Sequence, residues 1–210
     1  MKNTINETKD YKTNLHKNRV RRYFVDSAME ILRGEGFSAL SVRNISLRAG
    51  YSSASFYNHF EDMGELIFMC LKEFAQECKN MLSSAIKSNT DSLERIKIIC
   101  LEFVKYFVQY PGIFELFYTS NIINLRNNKN SLELIHNLLK DVLEKDFNDL
   151  LIRGIFTKTE IDNKKIQIEV SLIGLLLLYI NRCYPVKYSD FNTTLINQID
   201  SCLYPCLVNN

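Results

Sequence analysis

Leu40-Ser41-Val42-Arg43-Asn44-Ile45-Ser46-Leu47-Arg48-Ala49-Gly50-Tyr51-Ser52-Ser53-Ala54-Ser55-Phe56-Tyr57-Asn58-His59-Phe60 is the stretch whose reading decides the fold. Ser41 is a good N-cap for a short helix through Val42, Ile45 and Leu47 to Ala49, because its hydroxyl can accept an otherwise unpaired N–H of the first turn. Gly50 breaks that helix and can take the left-handed conformation of a sharp turn. Ser52 then caps a very short helix that reaches Tyr57 or Asn58. Ala49 is small where two helices approach closely. The pattern predicts a helix-turn-helix over about residues 41–60, although a plain helical hairpin at a domain edge has the same spacing.

Upstream, Val20, Phe24, Ala28, Ile31 and Leu32 form one stripe of a helix from about Arg19 to Arg33, which Gly34 and Gly36 end. Ile45 and Phe56 can pack back onto it through Phe24, Ala28 and Leu32. That leaves Ser53, Ala54, Ser55, Asn58 and His59 outward, short enough for the helix to enter a major groove about 12 Å wide. Residues 1–17 are rich in Lys, Asn and Thr without periodicity and read as a flexible basic arm. Charge is unevenly spread. Residues 1–60 hold ten Lys/Arg against five Asp/Glu, whereas the rest holds 16 against 19. A basic N-terminal unit on an acidic body suits phosphate contacts.

The stretch from Arg22 to Leu66 resembles the N-terminal signature of the TetR family of transcriptional regulators, through Leu40 to Ser46 and Ala49 to Phe60, with Ala28, Leu32, Glu35, Gly36 and Phe37 matching upstream. The resemblance implies a DNA-binding domain over 18–65 and a helical effector-binding and dimerisation domain over 66–210. It also implies roles for single residues. Tyr57 matches a phosphate-contacting tyrosine. Ser41 matches a phosphate anchor at a helix start, where anions are favoured in any case. Arg43 matches a position that reaches a base edge, and its guanidinium fork suits guanine O6 and N7. Ser52, Ser53, Ala54, Ser55 and Asn58 complete the DNA face. His59 either touches phosphate or packs at the end of the helix. One position departs: the family usually has a lysine where Met63 stands, among Glu61, Asp62 and Glu65. A backbone contact is thereby in doubt, with Arg19, Arg21, Arg22 or the arm as substitutes.

Seven glycines and three prolines in 210 residues are too few turn-formers for a β-sandwich or barrel, and long apolar-periodic segments separate them. The chain therefore reads as all-α with about nine helices. Beyond the helix-turn-helix, helices are predicted from about Asp62, from Asp91 or Ser92 to Tyr110, from Pro111 through Tyr118, from Ser131 to about Arg153, from about Asn163 to Tyr184 and from about Asp190 to Leu203, with a loop at 121–130. Met1 to Arg22 lacks the apolar core of a signal peptide, and the run Val170–Ile180 is short of the roughly 20 residues that span a bilayer. Six cysteines without a C-x-x-C pair, Cys202 and Cys206 among them, are expected to be free thiols in a reducing cytosol. No metal spacing, cofactor loop or catalytic triad stands out.

Phe103, Tyr106, Phe107, Tyr110, Phe114, Phe117 and Tyr118 concentrate apolar surface with a few hydroxyls. They suit either an effector pocket, with His136 as a polar handle, or ordinary core, with His136 a satisfied core histidine. The helix through Val170–Leu178 is apolar almost all round, so it needs cover on both sides. Leu172, Gly174 and Leu176 with Leu195 and Ile199 of the last helix are expected to form a two-fold interface. The function expected is a homodimeric repressor on a near-palindromic operator in double-stranded DNA, released by a small apolar effector. A non-transcriptional DNA-bound role, architectural or division-linked, is the alternative, and an all-α enzyme comes third.

Overall fold

The computed structural model describes residues 2–87, 90–120 and 129–204, with side chains at 15–87, 90–120, 130 and 133–204. Nine α-helices and no strand occur among the described residues: α1 Lys2–Gly34, α2 Val42–Ala49, α3 Ser53–Tyr57, α4 Met63–Ser84, α5 Ser92–Gln109, α6 Pro111–Phe114, α7 Lys129–Ile152, α8 Lys158–Ile180 and α9 Tyr188–Leu203. The all-α expectation holds. None of these helices is long and apolar enough to cross a membrane.

The chain forms two units, one comprising Met1–Glu73 with Gly112–Leu132, the other Phe74–Pro111 with Glu133–Asn210. In the first, Phe24 of α1 is fully buried. Its ring meets Phe56 edge-on at 5.6 Å and Phe60 edge-on at 5.9 Å, and Tyr51 tilts over it at 5.4 Å. Val20, Ala28, Leu32 and Ile45 close this core. The short α6 packs beneath α1. A Cβ added at Gly112 would fall on the Leu32 carbonyl oxygen and lie 2.7 Å from Gly36 Cα. Only glycine allows that approach. After α6 the chain continues in a wider π-turn over Glu115–Thr119.

The first helix is longer than its apolar stripe. It runs from Lys2, through the stretch expected to be a flexible arm. No Gly or Pro interrupts residues 2–33, so once the packed part near Val20 is helical, each further turn propagates at little cost.

The second unit centres on α5, whose Ile96, Ile99, Cys100, Phe103, Val104 and Phe107 are buried. It packs against α8 and α9, which pack on each other. The start of α8 lies about five residues before the expected one. Thr157 accepts the Glu160 N–H, and the Glu160 carboxylate accepts the Thr157 N–H at 2.7 Å, a capping box that fixes the first turn. Its end comes at Ile180, where Arg182 turns to a φ of 55°. Lys164 is buried and donates to the Cys202 carbonyl at 2.6 Å, with its ammonium 4.5 Å above the Phe156 ring. A cation there satisfies the C-terminal end of α9. Burial pushes the Lys164 pKa down, against nearby Glu160.

Cys70, Cys78, Cys100, Cys183 and Cys202 are free thiols. Burial pushes Cys70 and Cys78 up to about 12, which leaves them protonated and unreactive. Cys206 and most of the expected loop at 121–130 lie outside the described residues.

Two corrections concern the expected interface and pocket. Leu172, Leu176, Leu195 and Ile199 are at most 2% exposed within one chain, so they are its own core and cannot meet a partner. The opposite face of α8 is the apolar surface left open, with Ile166, Val170, Leu177 and Leu178 all exposed. A helix apolar all round has no phase in its sequence, so the fold alone decides which half faces α9. Gly174 stays beside the open face, with nothing within 4 Å of an added Cβ. His136 lies on the surface. Its ring is 3.8 Å from Glu169 and beside Lys140. It lines no apolar interior and is not a core histidine.

Candidate nucleic-acid interface

Local chemistry builds the helix-turn-helix. The Ser41 hydroxyl accepts the Asn44 N–H at 3.2 Å, and Ser52 accepts the Ser55 N–H at the same distance. Each hydroxyl keeps its own proton, so a capping serine can still donate to a phosphate. Gly50 adopts φ 76°, its N–H reaching Leu47 O at 3.2 Å and the Tyr51 N–H reaching Ser46 O at 2.9 Å. That closes α2 in the double bond pattern of a left-handed C-terminus. Asn44 is bound to the Ala39 carbonyl at 2.9 Å, and Arg48 pairs with Glu35, so neither side chain is free.

The turn leaves a polar face to solvent. Arg43, Ser52, Ser53, Ala54, Tyr57 and Asn58 are exposed, with Tyr57 at 62%. Ser41 and Ser55 are half-buried. Among the described residues, the Arg43 guanidinium has no hydrogen-bond or ion-pair partner, and it projects one turn from Leu47. Leu47 is 78% exposed, an apolar residue one turn from Arg43. Exposure alone distinguishes it from Ile45 two residues away.

His59 is half-buried, its ring tilted 6.2 Å from Phe24 and its Nδ1 buried without a partner. Burial lowers its pKa, and Lys17, Arg21 and His16 lower it further. It therefore stays neutral near pH 7. Packing at the end of α3 is what the free protein uses it for.

The acidic residues at the start of α4 have a structural task. Asp62 accepts the Glu65 N–H at 2.9 Å, and Glu65 accepts the Glu61 N–H at 2.8 Å. Glu65 also holds Arg21 at 2.6 Å, and Arg21 donates to the His59 carbonyl and lies 4.5 Å over the Phe60 ring. Burial raises the Glu65 carboxyl, but the Glu61 N–H and Arg21 outweigh it and hold it below its ordinary value. Arg21 is thus the clamp between α1, the end of α3 and α4. Arg22 is paired with Asp26 and Glu73. Of the three arginines expected to replace the missing helix-four lysine, Arg19 alone is exposed and unpaired among the described residues.

The aromatic group divides between the two units. Phe103 and Phe107 pack edge-on at 5.0 Å, and Tyr106 stands edge-on to Tyr110 at 5.4 Å. Phe114, Phe117 and Tyr118 belong to the first unit, where Tyr118 packs on Phe114 at 5.2 Å. All but Tyr110 and Tyr118 are buried.

Residues 24–69 match the family model of bacterial regulatory proteins, tetR family. An uncharacterized HTH-type transcriptional regulator of Haemophilus influenzae is 30% identical over 103 residues, 49% of this chain and 50% of that protein. The alignment therefore spans about half the length of this curated relative. Three solved structures share the fold. One is described as a TetR-family transcriptional regulator from Syntrophomonas wolfei, with a TM-score of 0.69 at 15% identity, covering 91% of this chain and 99% of the other. A second is FadR from Bacillus subtilis in complex with stearoyl-CoA, with a TM-score of 0.66 at 14% identity over 87% and 97%. The third is RolR in complex with resorcinol, with a TM-score of 0.67 at 15% identity over 88% and 87%.

Proposed function

We propose that this chain, whose residues 24–69 are a TetR-type N-terminal unit, is a homodimeric transcriptional regulator: a cytoplasmic repressor that leaves its operator when a small effector binds. The observation that carries the DNA reading is the capped α2–Gly50–α3 turn. It holds an unpaired Arg43 and an exposed Tyr57 on one short-side-chain face. Two such faces related by a two-fold axis would enter successive major grooves about 34–36 Å apart on a near-palindromic site. The partner is double-stranded DNA, and neither a cofactor nor a catalytic step belongs to this reading. Selection of bound duplexes from a random pool tests it. A near-palindromic consensus is expected, and recovery of unrelated sequences at equal affinity would sink the specificity.

The effector part draws on the ligands of FadR and RolR, stearoyl-CoA and resorcinol, and on the aromatic core of the second unit around Phe103, Tyr106 and Phe107, which suits an apolar effector body. Release then requires that the effector bind more tightly to the form whose reading heads are misplaced.

Two substitutions separate the roles of the DNA face. Tyr57→Phe should weaken binding to operator and random duplex alike, because a phosphate contact positions without specifying. Arg43→Ala should cost about 1–3 kcal/mol on the operator and relax one base position, since a bidentate base contact is lost. Fluorescence anisotropy on both duplexes reads the difference. Equal losses for Arg43→Ala on both would end its base-reading role.

Salt dependence probes Met63. Each phosphate contact adds roughly 0.9 to the slope of log affinity against log salt. Met63→Lys at the first position of α4 is expected to steepen the slope by about one unit. An unchanged slope and affinity would show that this position does not face phosphate.

A further inference from the structure

We propose that the cleft between the C-terminal end of α4, the first turns of α5 and the middle of α7 binds a phosphate-bearing small molecule. The cleft measures about 520 Å3 and is open to solvent, with Lys79, Lys87, Arg95 and Lys145 converging on it from these three segments. That volume lies within the range of small-ligand sites.

Charge bookkeeping decides the ligand class. Lys79 of α4 is balanced by Asp141 of α7 at 2.6 Å, both lining the cleft. Arg95 is balanced by the buried Asp146 at 2.7 Å, although its Nε–H is not aligned for a hydrogen bond. Lys87 and Lys145 have no carboxylate among the described residues. The walls thus carry two uncompensated positive charges, Lys87 from the segment after α4 and Lys145 from α7. A phosphate monoester carries about −1.5 to −2 near neutral pH, which matches them, while a single carboxylate leaves one ammonium unpaired. The Arg95 fork and the mobile ammonium groups supply donors from several directions, as a tetrahedral phosphoryl group needs. Ile86 and Val142 lie in the same lining and give an apolar strip for the adjoining part of the molecule.

Every lining residue belongs to the second unit, so the binding site does not depend on the DNA reading. Its use as the charged end of an effector does rest on that reading.

The test uses the full chain without DNA and inorganic phosphate as probe, titrated by calorimetry at constant ionic strength made up with sodium chloride. The wild type and the surface variant Lys187→Gln should bind one phosphate per chain saturably. Lys87→Gln combined with Lys145→Gln should bind at least about tenfold more weakly, about 1.4 kcal/mol, with an unchanged melting temperature. Succinate, a dianion with its charges spread apart, should bind more weakly than phosphate. No saturation beyond chloride, an undiminished affinity in the double variant, or succinate as tight as phosphate would each overturn the proposal. Operator binding, measured separately, fails or succeeds independently of these outcomes.

Discussion

Gly174→Arg is expected to leave each chain folded, to yield monomers by sedimentation and to weaken operator binding by about a hundredfold or more. The argument starts from the open face of α8. Ile166, Val170 and Leu177 are exposed on the side opposite the buried Ile168, Leu172 and Leu176. A large exposed apolar stripe on a helix needs a partner. Gly174 beside it meets nothing within 4 Å, so an arginine fits a lone chain and becomes an obstacle, and a buried charge, only when a second helix docks. A monomer then binds one half-site without the tethering that makes the second contact intramolecular. Val170→Asp should behave alike. Leu176→Asp would not test the same point, since Leu176 is fully buried and its loss would damage the fold itself. A Gly174→Arg protein that sediments as a monomer yet keeps full operator affinity would falsify both the interface and the two-groove arrangement.

Gly112→Ala is expected to lower stability by about 2–3 kcal/mol, the scale of overpacking a closed interior. Helix propensity alone predicts the opposite sign, since alanine in a helix is favoured over glycine by roughly 0.8–1 kcal/mol. Sterics win here because the atoms in the way are the Leu32 carbonyl and Gly36 Cα, both backbone, which cannot swing aside as a side chain would. Gly174→Ala in the monomeric Val170→Asp background gives the matching control: open space surrounds it within one chain, so propensity acts unopposed and the protein should gain about 0.5–1 kcal/mol. Thermal unfolding followed by circular dichroism reads both. At about 2–4 °C per kcal/mol for a chain of this size, Gly112→Ala should melt some 4–12 °C lower. Opposite shifts confirm the contrast. An unchanged melting temperature for Gly112→Ala would mean that α6 moves away from α1 at no cost.

What the sequence disclosed follows from how local each cause is. Ser41, Gly50 and Ser52 act on atoms within a few residues of themselves, and their caps and turn were readable. The capping box of Thr157 and Glu160 is equally local and stood in the sequence. The apolar run that marks α8 begins later, so periodicity alone places its start near Asn163. Faces were harder to read. Leu172 and Val170 are both apolar, and only the position of α9 decides which is interior. His136 shares a stripe with Leu139, yet Leu139 is buried and His136 exposed. Arg21 and Glu65, 44 positions apart, find each other through the fold. Their pairing makes Arg21, expected to substitute for the missing phosphate contact, part of a clamp instead. The phosphate cleft likewise combines three segments, so no spacing in the chain announces it.

The reading head is not finished by the stretch that contains it. Its unit ends at Glu73 and resumes at Gly112, where the chain returns to seat α6 beneath Leu32. On the ribosome, at roughly 5–20 residues per second, the second piece is made about 2–8 s after the first. For that interval a nascent chain carries its helix-turn-helix with the underside of α1 uncovered. Order of synthesis and order of assembly therefore differ in this protein. A newly made copy completes its helix-turn-helix unit only after Gly112 and the residues that follow it have been translated.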